Sequence, residues 1–412
     1  MGSGGGFQQG LSGLNAAQRG LEVVSNNISN ANAIGFKSSS AEFADVFARS
    51  FDGASSASRT SIGLGTKLNA VQQNFTQGNI TVTGNPLDLA INGTGFFKVN
   101  STSGEVVYTR NGQFSTAANG NVVNSKGDTL QGFAIDQTTG RPADVSTTIN
   151  IPQAAIAPSA TAATTLEVNL DAREAGTATA FSATDLTSFE HSTTLSVFDQ
   201  LGEDHTMNVY FKRTPATNTW QVFGRIDGTD VTLTPATVTF NADGNLTGTT
   251  QLTVDATAFD PAFSATNTYT FDLANSTQFG SAFQVQNLSQ DGYSSAPFSG
   301  FSVGADGVLT VNYANGETKD VYKVGLFKFK NPEGLQPIGA SGWLATDAAG
   351  PELVSLSDET AFGTIQSGAL EEANVDLTAE LVAMISAQRV YQANSQTIKT
   401  QDQLLQTITN LR

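Results

Sequence analysis

Both ends of the chain carry apolar residues at a step of seven, and this pattern limits the fold more than any other feature. Phe7 is followed at that step by Leu14, Leu21 and Ile28, and a second series, Gly10, Ala17, Val24 and Ala31, runs three positions behind. At the far end Leu377, Met384, Tyr391, Ile398 and Leu405 repeat the step, while Leu381, Ile385, Leu404, Ile408 and Leu411 widen the stripe. A sustained heptad belongs to a helix that buries one seam against another helix. Asp376 is placed to cap the second helix, and Glu380 falls in its first turn, where the dipole favours an acid. The spacing predicts helices roughly 30–40 Å and roughly 50 Å long. The residues between the apolar positions are mainly Gln, Ala, Thr, Ser and Asn. A single pair therefore leaves much helix surface half-satisfied. The expectation is a pair that is marginal alone and orders when copies of the same chain bury it.

The middle of the chain follows a different period. Leu87, Leu89 and Ile91 alternate ahead of a turn at Asn92-Gly93, and Phe96, Phe97 and Val99 open the next strand. Val107, Thr109, a turn at Asn111-Gly112 and Phe114 read as a further hairpin. From Thr147 to Ser159 the composition shifts to Pro, Ala and Thr, a boundary signal. A second β-region follows, in which Leu195 with Val197, then Met207, Val209 and Phe211, then Trp220 with Val222, Val231 with Leu233, and Val238 with Phe240 all alternate. Near Phe283 the chain returns to the first β-region. The fold class expected is mainly β with a terminal α-helical coiled coil. The terminal helices pair, and two β-rich domains nest, the second inserted in the first. The boundaries expected are 1–30 with 370–412 for the helical core, 72–145 with 286–346 for the inner β-domain, and 146–285 for the inserted one.

Composition excludes several functions. A formal charge of −17 argues against nucleic acid or anionic lipid as a partner, since both need a basic footprint. No apolar run approaches the roughly 20 residues that span a bilayer, so membrane insertion is not expected. Met1 to Gln18 has neither a basic nor an apolar leader region, and no cleavable signal peptide is expected. The chain has no cysteine, which removes disulfide scaffolds and thiolate metal sites. Histidine occurs only at His191 and His205. Asp199 or Asp204 with His205 can be drawn as a carboxylate–imidazole pair, but these residues flank a turn and no activated serine accompanies them. Glu371-Glu372 precedes a helix and is explained there by dipole preference. Gly63-Leu64-Gly65 and Gly93-Thr94-Gly95 lack the lysine and the strand–loop–helix setting of a phosphate cradle. No catalytic residue, metal site or cofactor is expected, and the chain is read as not an enzyme.

Two long segments carry a resemblance. Leu11-Ser-Gly-Leu-Asn-Ala-Ala with Ser25-Asn-Asn-Ile-Ser-Asn-Ala-Asn-Ala-Ile-Gly-Phe-Lys37, and Gly368-Ala-Leu-Glu-Glu-Ala-Asn-Val-Asp-Leu377 through Tyr391-Gln-Ala-Asn394, resemble the two end signatures of the bacterial flagellar rod and hook family. Leu87 to Phe97, Tyr108 to Phe114, and Asn331-Pro-Glu-Gly-Leu335 with Trp343 are similar to its hook branch. The likeness spans the chain and is weakest from about Ser146 to Ser281. Gly339-Ala-Ser-Gly-Trp343 departs from the pattern, lacking an acid and an asparagine before the tryptophan. The resemblance implies a linking segment over 31–71 with 347–369, and a self-assembling helical tube that works as a universal joint between motor and filament. It also implies partners in the distal rod, the hook cap, the hook–filament junction and the flagellar type III export apparatus, and a place on the flagellum outside the cell. The residues expected to carry assembly are Leu14, Leu21, Val24, Ile28, Leu377, Leu381, Met384, Tyr391, Ile398 and Leu405. Competing readings are the stiff distal rod subunit of the same family and an extracellular β-rich adhesin.

Overall fold

The computed structural model describes residues 4–46, 63, 65–257, 259, 268–355 and 362–410. Its elements are mainly strands bracketed by two long helices, α1 (Gly4–Ser29) and α2 (Leu377–Asn410). The chain divides into two compact units. The first comprises Met1–Pro152, Phe301–Val311 and Lys319–Arg412, and the second Gln153–Gly300 and Asn312–Thr318.

In the first unit the central strands are antiparallel. Phe97–Asn100 lies between Val106–Thr109 and Thr129–Ile135, and Val106–Thr109 continues to Gly342–Leu344 and then Gln336–Gly339. The core beneath them is aromatic: Phe96, Tyr108, Phe133, Phe327, Phe329 and Trp343 are all buried. Tyr108 meets Phe329 edge-on at 4.7 Å between centroids, the arrangement that ring quadrupoles favour. Two short ladders tie the distant chain segments together. Thr364–Ser367 pairs with Leu89–Asn92, and Ala369–Glu371 pairs with Ile80–Val82.

One expected hairpin is not formed. Val106–Thr109 and Phe114–Thr116 do not pair with each other, and the latter pairs with Val122–Asn124. The chain crosses the core at Asn111-Gly112 instead of reversing there. Leu89 N–H donates to Gly112 O at 2.9 Å, and a Cβ at Gly112 would sit 1.6 Å from Leu89 O. The Asn-Gly pair is thus used for close backbone approach rather than for a two-residue turn.

The second unit is a sheet whose neighbouring strands run His191–Phe198, Asp204–Arg213, Thr219–Ile226, Thr229–Thr234, Gln251–Asp255, Thr268–Asp272, Ala163–Asn169 and Gln284–Gln290. All these pairs are antiparallel except Ala163–Asn169 with Thr268–Asp272. The alternating apolar residues named above all enter its core, with Trp220 and Phe211 fully enclosed.

Candidate functional site

The helices pair antiparallel: Gly10 packs at Ile398, and Asn27 bonds Glu380. Small residues of α1 make the close approaches, and a Cβ at Gly13 would stand 2.8 Å from Asn394 Nδ2. Gly10 and Ala17 are buried, and a Cβ at Gly10 would stand 3.1 Å from Ile398 Cγ1. Leu14, Leu21, Val24 and Ile28 are half-buried around that line. On α2, Met384, Ala387, Asn394 and Ile398 are among the half-buried residues, and Asp376 caps the first turn by accepting from Thr378 and Ala379 N–H at 2.9 and 3.2 Å.

A second α2 face is open. Leu377 (45%), Leu381 (48%), Val382 (63%) and Ile385 (50%) remain exposed, as do Val390 and Tyr391. The residues named from the heptad therefore separate into an inner seam (Met384 and Ile398 against α1) and an outer stripe (Leu377, Leu381). Tyr391, though in step with the seam, is exposed. The side chain of Leu405, like those of Leu404, Ile408 and Leu411, lies outside the described residues.

Below the pair is a neck of hydrogen bonds and charges. Asn27, 2% exposed, donates its amide to Ser39 O (2.8 Å) and Glu380 Oε1 (2.9 Å), and its Oδ1 accepts from Ser39 N–H (2.9 Å). Asn374 accepts from Ser38 N–H at 2.7 Å and donates to Asn74 O at 2.8 Å. At the centre, Glu371 is fully buried. Its Oε1 lies 2.7 Å from Lys37 Nζ and accepts Gly78 N–H at 2.9 Å, and its Oε2 lies 2.9 Å from Arg110 Nη1. Lys37 also donates to Thr76 O (2.6 Å) and Arg110 to Gly93 O (2.7 Å). Burial pulls both cations below their ordinary values, and the Glu371 carboxylate opposes that shift. Gly35 is required here: at φ +68 its N–H donates to Glu371 O at 2.8 Å, and a Cβ would meet the Arg110 carbonyl carbon at 2.5 Å.

This corrects the dipole reading of Glu371, whose carboxylate is spent on two buried cations. Sequence reasoning quoted Lys37, Arg110 and Glu371 inside motifs but assigned them no partner. Lys37 and Arg110 lie 334 and 261 positions from Glu371 in the chain, and no local pattern joins them.

Among the described residues, one group could gather three metal-capable side chains: Asp199, Glu203 and His205. Asp199 Oδ1 accepts Leu201 and Glu203 N–H at 2.9 and 2.7 Å, holding a turn, and His205 Nδ1 meets Asp227 Oδ2 at 2.8 Å. The imidazole thus meets Asp227 at a neighbouring strand end, and its Nε2 lies 4.0 Å from Asp199 Oδ2, one of the two carboxylates expected beside it.

Comparison with known proteins agrees with this architecture. Residues 7–37 match the family model "Flagella basal body rod protein", 90–172 "Flagellar hook protein FlgE/F/G D1 domain", 169–293 "Flagellar basal body protein FlaE D2 domain" and 366–411 "Flagellar basal body rod FlgEFG protein C-terminal". The flagellar hook protein of Escherichia coli K12 is 39% identical, covering 98% of this chain and 100% of that protein. Those of Salmonella typhimurium and Rhizobium meliloti are 37% and 32% identical, each over 98% of this chain. The chain belongs to the flagellar hook protein family. It is a structural subunit of the hook, and self-polymerisation is the interaction that membership implies. The crystal structure of Helicobacter pylori flagellar hook protein FlgE2 shares the fold at TM-score 0.52 and 13% identity, covering 69% of this chain and 99% of that one. In the hook family the signature Ser25 to Lys37 acquires a physical reading: Asn27, Gly35 and Lys37 are the neck residues just described.

Proposed function

We propose that the open stripe of α2 is the surface by which copies of this chain stack into the hook tube. The observation that carries this is a row of large apolar side chains left half-exposed along a helix whose opposite seam is already filled. Completing their burial contributes about 1 kcal/mol or more per residue, enough in a row to drive repeated contacts. A contact between two different surfaces whose rotation does not close propagates as a helical filament. On this reading Leu14, Leu21, Val24, Ile28, Met384, Tyr391, Ile398 and Leu405 belong to the tube's helical layer, with Leu377 and Leu381 at its contacts.

The division into helical core (1–30, 370–412), linking segment (31–71, 347–369), inner β-domain (72–145, 286–346) and outer β-domain (146–285) belongs to the same proposal. The tube is a universal joint that passes torque from rod to filament, with small wet contacts between outer domains sliding as it turns. Its partners are the distal rod, the hook cap and the hook–filament junction protein. The chain reaches its place outside the cell through the flagellar type III export apparatus, and it performs no catalysis.

The test is Leu381→Asp with Ile385→Asp, examined by electron microscopy after salting-out. Chains with unchanged unfolding transitions should form no tubes. Tubes at the wild-type protein concentration would overturn the assignment.

A further inference from the structure

We propose that Lys37 is a positioning residue: through Glu371 it fixes the segment leaving α1 onto the β core, so that its contribution is to assembly competence and not to core stability. The proposal rests in part on the reading of the helix pair as the assembly element.

The site holds two cations and one carboxylate, all nearly or fully enclosed: Lys37 is 1%, Arg110 4% and Glu371 0% exposed. Arg110 and Glu371 alone are a neutral pair, and both lie on β-core strands or their ends, with Arg110 also donating to Ile91 O and Gly93 O. The core is therefore closed and balanced without Lys37. A second buried cation adds desolvation cost, and its replacement by an apolar side chain leaves Arg110 and Glu371 as a neutral pair with no uncompensated charge. What Lys37 adds is registry. Glu371 grips the same short segment twice, its backbone carbonyl holding Gly35 N–H at 2.8 Å and its carboxylate holding Lys37 at 2.7 Å. From there the chain runs back to Asn27 on α1 and forward through Asn374 to α2, so both helices leave the core from one fixed point. Buried ionic groups are best attested in this registry role.

The experiment is Lys37→Met in the full chain, read by amide hydrogen exchange on the monomer and by the concentration threshold for tube formation. Methionine is unbranched and fills the space of the lysine stem. The first unit should unfold at the wild-type midpoint or above it. The Gly35, Ser38 and Asn374 amides should exchange about tenfold faster while Leu89 stays protected, and the threshold should rise about tenfold. Lys37→Arg should keep the neck amides protected. Neck amides that exchange as in wild type overturn the proposal. So does a Lys37→Met chain that unfolds, or whose neck and core amides open together, since either assigns Lys37 to stability. The exchange measurement needs no polymer, so it decides the coupling even where the substitutions on the α2 stripe fail to block tubes.

Discussion

Glu371→Gln keeps the length of the side chain and one carbonyl acceptor but removes the charge that Lys37 and Arg110 share. Both cations then remain enclosed with no counter-charge. Removing one partner of a buried pair costs about 3–5 kcal/mol, and here two pairs depend on one carboxylate, which places the expectation at the upper end. With a urea dependence of about 2–3 kcal/mol per molar, the unfolding midpoint of the first unit should fall by about 1–2 M. The chain supplies its own reporters. Of its 2 tryptophans, Trp343 is buried in the first unit and Trp220 in the second. In a Trp220→Phe background the fluorescence of Trp343 follows the first unit alone, and the reverse background follows the second. The substitution should move only the Trp343 transition. A midpoint within about 0.3 M of its background would show that the carboxylate contributes little and would refute the electrostatic account of the neck.

Two further outcomes follow from the same geometry. Gly10→Leu places a bulky side chain where a Cβ already approaches Ile398 to 3.1 Å; it should cost about 1–3 kcal/mol by forcing the seam apart and raise the tube-forming concentration severalfold, as read by light scattering. His191 is stacked between Phe283 (4.6 Å) and Trp220 (6.0 Å), and burial holds its imidazole below the ordinary 6.5 despite the Glu174 and Asp171 carboxylates. Because the unfolded chain then binds the proton more readily, the second unit should lose stability as pH falls from about 6.5 through the lowered folded value, and His191→Phe should flatten that slope in thermal melts followed by Trp220.

The helices and the β-core of the second unit were legible because their information is local. Heptad spacing located α1 and α2, and strict alternation at Leu195, Val197, Met207, Val209 and Phe211 named residues that are all buried. The hairpin expected at Asn111-Gly112 failed because the same dipeptide that makes a tight turn also permits a strand to pass under Leu89 O, and only the packed neighbour decides between them. The neck was hidden for a related reason. Lys37, Arg110 and Glu371 each look like an ordinary charged residue beside a turn or helix, and their meeting is a product of chain topology.

The contrast between neck and stripe carries the last step. A subunit that must join others cannot satisfy all of its apolar surface alone, yet it must present what remains at a defined angle. Here the two demands fall on different chemistry. The seam between α1 and α2 relies on small residues and is shallow, with Gly10, Gly13 and Ala17 along it. It permits two helices to lie together without consuming the outer stripe. Directional bonds, which cannot be satisfied in a shifted register, then fix where the pair begins: Asn27 to Ser39 and Glu380, Asn374 to Ser38, and Glu371 to Gly35 and Lys37. In the assembly proposed above, hydrophobic burial, which is non-directional, supplies the drive to associate, whereas the enclosed charges and amides supply the geometry. Exchanging these roles, with a greasy neck and a charged stripe, would leave a chain that sticks without a fixed angle or holds an angle without sticking.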